Sequence, residues 1–407
     1  MSIISMNKVV EFKEKDYLRT IDKKKHSLQF LPASLEELSK VKKISYGGVE
    51  LKTSYIIDIV HNLLLKYYFK KDNSFNLSAT ILKEKYGHIY NYYMDYLVKN
   101  EFIILVRKHQ KGKNSRIYKL NEKIIKGEIK RYKNQDNVLL KKYRNAISIV
   151  DSPHYGKGIL TEVKKKLVND LFSINIDYVK SIFFLDSTNQ DNDIYNKNKY
   201  SVECIKDNHI FYHFDDYGRM HTNFTILKSF IRKNCLLIDG EETCEIDIPN
   251  SQPLFLYKLI KDNDIFIVKD EELELFRILT ASGKFYQYLL DNCGSQMSRK
   301  EIKEVVYKVL FGRNYKNNAD NLFKKLFPTI HTFIKSYKKE MGDYRMLSYN
   351  LQRAESNLIF NRIIKTIMEL DPNIKLITVH DSIICARKHK EAVEIVFNTL
   401  LKDEFDY

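Results

Sequence analysis

The stretch IKLITVHDSIICARKH, residues 374–389, places an acidic residue where an apolar chain must reverse direction. An apolar run leads to His380-Asp381-Ser382 and a second apolar run follows, which predicts two buried strands joined by a hairpin with Asp381 at its tip. A carboxylate between buried strands is costly unless it is solvated or bound to a cation. Hairpin turns also favour Asp for purely local reasons. A second segment has a related character. In EIDIPNSQPLFLYKLI, residues 245–260, alternating apolar residues lead into Asp247, and Pro249 and Pro253 mark the turn into a helix. A carboxylate at a strand's end is well placed to hold a metal, although most such residues only cap or solvate the strand.

Between the two lies SRKEIKEVVYKVLFG, residues 298–312. Ser298 and Glu301 have the spacing of a capping box, and Gly312 falls where the helix should stop. Arg299, Lys303, Tyr307 and Phe311 recur every four residues and share one slowly drifting face. Ile302, Val305, Val306 and Val309 form the face expected to bury. Two cations followed by two rings suit a nucleoside triphosphate, with phosphates at the cationic end and the base beside the rings. Many amphipathic surface helices carry similar Arg and Lys spacings, so the helix alone says little. Together the segments predict that Asp247 and Asp381 share two Mg²⁺ ions, with Mn²⁺ as a substitute, opposite a cationic helix. One ion would activate an attacking 3′-hydroxyl and the other would steady a leaving pyrophosphate.

The charge of the whole chain points to the same class of partner. Among 407 residues, 68 Lys plus Arg outweigh 52 Asp plus Glu, a formal net charge of +16 that favours polyanions, nucleic acid first. No apolar run reaches the ~18–20 residues of a membrane span, so no membrane is expected, and the charged N-terminus does not read as a signal peptide. Five cysteines without a C-x-x-C pair argue against a zinc site or disulfide framework and for a reducing, cytoplasmic setting.

Four segments are expected. Residues 1–50 read as a charged extension with one short helix near residues 34–43. Residues 51–125 predict a long helix over 55–69, a short helix capped by Ser78 and ending near Tyr86-Gly87, a helix over 88–99, and two strands, EFIILVRK and SRIYKL, around a turn at Gly112. That order is the order of a winged helix-turn-helix, and Arg107, Lys108, Lys111, Lys113 and Arg116 on the hairpin would contact a phosphate backbone. Winged helices also serve as protein–protein modules, with a wing that is merely solvated. Residues 126–205 read as a basic, mostly helical, thumb-like segment. Residues 206–407 hold the three segments above, with residues 272–335 forming the helical part around the cationic helix.

The spacing Arg299, Lys303, Tyr307, Phe311, Gly312 resembles motif B of the family A polymerases. Asp247 in DIPNSQP is similar to motif A and His380-Asp381 in VHDS to motif C. Upstream, DDYGRM with Arg219 resembles the family's Gly-Arg element, and LQRAESNLIFNRII resembles its Gln-bearing helix. The resemblance covers about residues 210–407. It implies an α+β fold, a right-hand polymerase palm of antiparallel sheet with helical fingers, preceded here by the winged helix and the helical segment. It also implies a DNA polymerase acting on a DNA primer-template with dNTPs. Asp247, Asp381 and the Ile248 carbonyl would hold metal, and Arg299 and Lys303 the triphosphate. Tyr307 and Gln252 would lie beside the sugar, and Phe311 near the templating pair. Arg219, Gln352 and His380 would contact nucleic acid. Gln252 stands where the DNA polymerases carry a Glu that excludes a 2′-hydroxyl, and His-Asp-Ser matches the single-subunit RNA polymerases, whereas Tyr307 is typical of DNA polymerases. The alternatives are therefore a single-subunit RNA polymerase or primase using an RNA template or NTPs, a template-independent transferase, and a DNA-binding replication protein with an inactive polymerase half. No D-x-E exonuclease motif stands out in the N-terminal half, so proofreading is not expected.

Overall fold

Strands and amphipathic helices alternate in a mixed α+β fold, and every strand pair among the described residues is antiparallel. The computed structural model describes residues 27–70, 73–110, 115–142, 161–188, 190–210, 212–263, 266–293, 297–314 and 318–407. The chain forms two compact units. Among the described residues, the first holds those up to 142 together with 178–209, and the second holds 161–177 and 210–407.

In the first unit, β1 (Ser27–Pro32) is followed by a hairpin of β2 (Lys43–Tyr46) and β3 (Val49–Lys52). The hairpin turns on Gly47 and Gly48 at φ 59° and 76°, values that a two-residue turn of this hand requires. Next come α1 (Thr53–Lys70), β4 (Phe75–Asn76), α2 (Ala79–Tyr86), α3 (Tyr90–Lys99), β5 (Ile103–Arg107) and β6 (Ile117–Leu120). The last strands assemble in the order β4-β6-β5. One face of α1 buries Ile56, Ile57, Val60, Leu63 and Leu64 in the main apolar core. The same helix also buries Asp58 and His61. Asp58 accepts from Gln29 and Tyr86, each at 2.6 Å, and pairs with Lys85 at 2.9 Å, while His61 Nδ1 accepts the Phe30 N–H at 2.9 Å. These bonds satisfy buried polar groups that would otherwise destabilise the core.

Several expectations change here. The extension, expected to hold one short helix, contributes two strands and the start of a third, and its helix spans only Glu36–Ser39 after a 3-10 turn. The described residues of 126–205 are mostly helical, as expected, but the stretch also includes β7 (Ile129–Asn134), which closes on β1 from Ser27↔Asn134 to Pro32↔Ile129. Ser78 precedes α2 in an extended conformation but makes no side-chain capping bond. Gly112, Lys111 and Lys113 lie outside the described residues.

In the second unit, β8 (Ile174–Ile176) follows the helix Glu162–Leu171. A small hairpin of β9 (Tyr212–Phe214) and β10 (Met220–Thr222) turns at Gly218, where φ is 87°. A side chain there would also press on Ser356, since a Cβ would lie 3.3 Å from that residue's own. The main sheet adds β11 (Leu236–Ile238), β12 (Glu241–Asp247), β13 (Ile377–Val379) and β14 (Ser382–Ala386), in the order β13-β14-β12-β11-β8. The helices that shape the site are α4 (Ser251–Lys261), α5 (Arg299–Phe311) and α6 (Arg345–Asn357). α6 continues through a π-helical stretch, Leu358–Ile364, and α7 (Lys390–Phe405) follows the last strand. No helix among the described residues is long and apolar enough to cross a membrane.

Candidate active site

The two aspartates arrive on neighbouring strands. β12 runs between β11 and β14 and ends at Asp247, whose register partner is Ser382. One residue further, the Ile248 N–H donates to the Asp381 carbonyl at 3.1 Å. Chain reversal between Val379 and Ser382 needs only His380 and Asp381, with His380 in the left-handed region at φ 55°. After Ile248, Asn250 also takes a left-handed conformation, φ 51°, and turns the chain into α4. Backbone bonds therefore hold Asp247 and Asp381 at one end of the sheet.

Burial, the Glu355 carboxylate and Asp247 push the Asp381 carboxyl up to about 6. That repulsion is what a bound cation relieves. Burial and the nearby Arg219, His221 and Arg232 pull His380 down to about 4, so its ring is neutral at neutral pH.

α5 forms the facing wall. Its capping box is complete: Ser298 Oγ accepts the Glu301 N–H at 3.3 Å and Glu301 accepts the Ser298 N–H at 2.7 Å. Ile302, Val306, Val309 and Leu310 are buried, whereas Val305, expected to bury, is only half-buried. Arg299 and Lys303 are exposed, with the Lys303 ammonium 5.5 Å from the Tyr307 ring centroid and the Tyr307 and Phe311 rings 5.3 Å apart. Gly312 ends the helix as expected but at φ −77°, not in a left-handed turn. Glycine is needed for close approach, because a Cβ there would collide with the Lys308 carbonyl oxygen. The buried Lys338 donates to the Val309 and Gly312 carbonyls at 2.6 and 2.7 Å, satisfying the C-terminal end of α5.

A cleft of about 630 Å³ brings these parts together: Asp247, Ile248, Gln252, Arg299, Lys303, Tyr307 and Asp381 all line it. Lys300 and Tyr286 line it as well, and neither was expected. Phe311, Arg219, Gln352 and His380 are not among its lining residues. The Gln352 amide bonds to Ser348 Oγ at 2.9 Å on its own helix.

Arg219 is engaged beside the cleft by a residue that the motifs did not single out. Glu355, 1% exposed, accepts from Arg219 Nε and Nη2 at 2.9 and 2.5 Å, from Ser251 Oγ at 2.8 Å and from Gln252 Nε2 at 2.5 Å. One carboxylate thus ties the Gly218 turn, the start of α4 and α6 together. It also fixes the Gln252 amide, whose buried Oε1 is left without a hydrogen-bond partner. The available signal was an acidic residue three positions after Gln352, on the next turn of the same helix.

The donor set for a metal is all oxygen, which suits a hard cation such as Mg²⁺ rather than zinc. Among the described residues no group of three or more His, Cys, Asp or Glu is placed to hold a metal ion. Asp247 and Asp381 are the two carboxylates that line the cleft and could supply side-chain ligands to such a cation, with substrate phosphates and water completing its shell. In the first unit, Arg107 and Lys108 are exposed at the end of β5, whereas Arg116 donates to Asn91 Oδ1 at 3.2 Å.

No family model matches the chain, and no curated protein matches it.

Proposed function

We propose that this chain is a template-directed DNA polymerase that adds deoxynucleotides to a 3′-hydroxyl, without a proofreading exonuclease. The supporting observation is the convergence of Asp247 and Asp381 at one sheet end, in the same cleft as Arg299, Lys303 and Tyr307. In this reading the sheet is the palm and α5 belongs to the fingers. Asp247, Asp381 and the Ile248 backbone would hold paired Mg²⁺, or Mn²⁺ in its place. Those ions, when bound, supply Lewis-acid activation of the hydroxyl and charge neutralisation at the pyrophosphate. The chain's own residues do the rest. Arg299 and Lys303 bind the triphosphate, Tyr307 packs beside the nucleoside, and the Glu355 carboxylate orients Arg219 and Gln252.

The order α1-β4-α2-α3-β5-β6 supports a winged-helix reading of the first unit, with Arg107 and Lys108 as exposed phosphate contacts. Ribonucleotide addition by a single-subunit RNA polymerase or primase is the second reading. It is favoured by Gln252, an amide with an unpartnered acceptor where a carboxylate would exclude a 2′-hydroxyl.

The test is extension of a labelled primer on a template with Mg²⁺. Asp247→Asn and Asp381→Asn should each lower the rate by ~10²–10³-fold, the scale of losing charge stabilisation at a reacting centre. Unchanged activity in either variant refutes the assignment. Parallel reactions with dNTPs, with NTPs and without template separate the readings.

A further inference from the structure

Cys244 and Cys385 are register partners on β12 and β14, and their Sγ atoms lie 3.5 Å apart. Directly paired residues of an antiparallel ladder put their side chains on the same face, with Cα atoms about 4.5 or 5.5 Å apart. Both spacings fall within the ~4.4–6.8 Å that a disulfide spans. Side chains alternate along a strand, so the two thiols sit on the face opposite Asp247 and Glu245. Cys385 is buried, whereas Cys244 is half-open to solvent.

We propose that Cys244 and Cys385 form a redox modification site for peroxides, closing into a disulfide that links β12 to β14. Cys244 is the sulfur a small oxidant reaches. Its attack on hydrogen peroxide breaks the O–O bond, giving the Cys244 sulfenic acid and one water. The Cys385 sulfur then displaces hydroxide from the Cys244 sulfenic acid. Hydroxide takes up the Cys385 proton and leaves as a second water. Two thiols lose two electrons in total and one peroxide gains them. Burial and the adjacent Cys244 hold the Cys385 thiol well above the ordinary range, so Cys385 suits the resolving role rather than the attacking one. The link is covalent and is read without any measurement of polymerase activity.

The experiment treats the full chain with stoichiometric hydrogen peroxide, blocks remaining thiols under denaturing conditions, and maps peptides by mass. The expected result is loss of two of the five thiols, with Cys244 and Cys385 joined in one peptide pair. Cys293→Ala should keep the link, and Cys244→Ala should abolish it while leaving four blockable thiols. Cys244 recovered as sulfinic acid, or crosslinks running chiefly through Cys293 or between molecules, would overturn the proposal. The parent protein alone separates these outcomes, so a variant that fails to fold does not obscure them.

Discussion

Replacing Glu355 with Ala deletes one carboxylate and strands three partners. Glu355 is 1% exposed and the Arg219 side chain 18%, so the guanidinium cannot regain full hydration when its partner is lost. Ser251 and the Gln252 amide also lose their acceptor. Breaking one side of a buried ion pair costs about 3–5 kcal/mol. At roughly 2–4 °C per kcal/mol for a domain of ~150–250 residues, the melting transition of the second unit should fall by about 10 °C. Differential scanning calorimetry at neutral pH reads this directly. Glu355→Gln keeps the shape and one acceptor, and should lose about half as much. Arg219→Ala and the double variant complete a thermodynamic cycle, in which the double variant should cost less than the summed singles by at least ~1 kcal/mol. A Glu355→Ala protein melting within a degree or two of the parent, or an additive cycle, would show that the carboxylate does not hold this corner together.

Other outcomes follow from the same geometry. Gln252→Glu alone sets a second carboxylate against Glu355 and should destabilise the fold. Adding Glu355→Gln should recover most of a loss of about 1–3 kcal/mol, measured by thermal melting. Lys338→Met leaves the Val309 and Gly312 carbonyls unpaired; it should cost about 2 kcal/mol in urea unfolding and speed amide exchange at the end of α5. His61 is buried, and burial pulls it from its ordinary 6.5 down to about 3. The unfolded chain therefore binds the proton more tightly. The stability associated with His61 is complete above about 6.5 and is lost as pH falls toward 3, at ~1.4 kcal/mol per pH unit. Urea midpoints at pH 7 and 5 should show that slope in the parent and a shallower one in His61→Gln.

The elements around the cleft were legible because local signals bracket them. Apolar runs flank Asp381 and lead into Asp247, and Ser298 with Glu301 marks the start of α5. Long-range pairing was not legible. β1 and β7 meet across about a hundred positions, and IKRYKN carries charge on both faces, with Arg131 turned inward over the Phe30 ring, so no apolar alternation marks it as a strand. Glu355 and Lys338 were missed for a common reason. Each is a charged residue on a helix, where exposure is the ordinary expectation, and each is buried because partners from distant segments converge on it. Val305 shows the limit of periodicity, which fixes a face but not how far the neighbouring helices cover it.

The aspartates are pinned to a strand ladder, whereas α5 rests chiefly on the helices Phe285–Asn292, Asn318–Leu326 and α6. The anionic floor is thus built on strands and the cationic roof on helices, and α6 joins the two through Glu355. Substitutions that tilt or slide the roof need not disturb the spacing of the floor. A cleft built this way keeps its acidic base in a ladder of fixed register, while changes in helix packing alone can reposition its cationic wall.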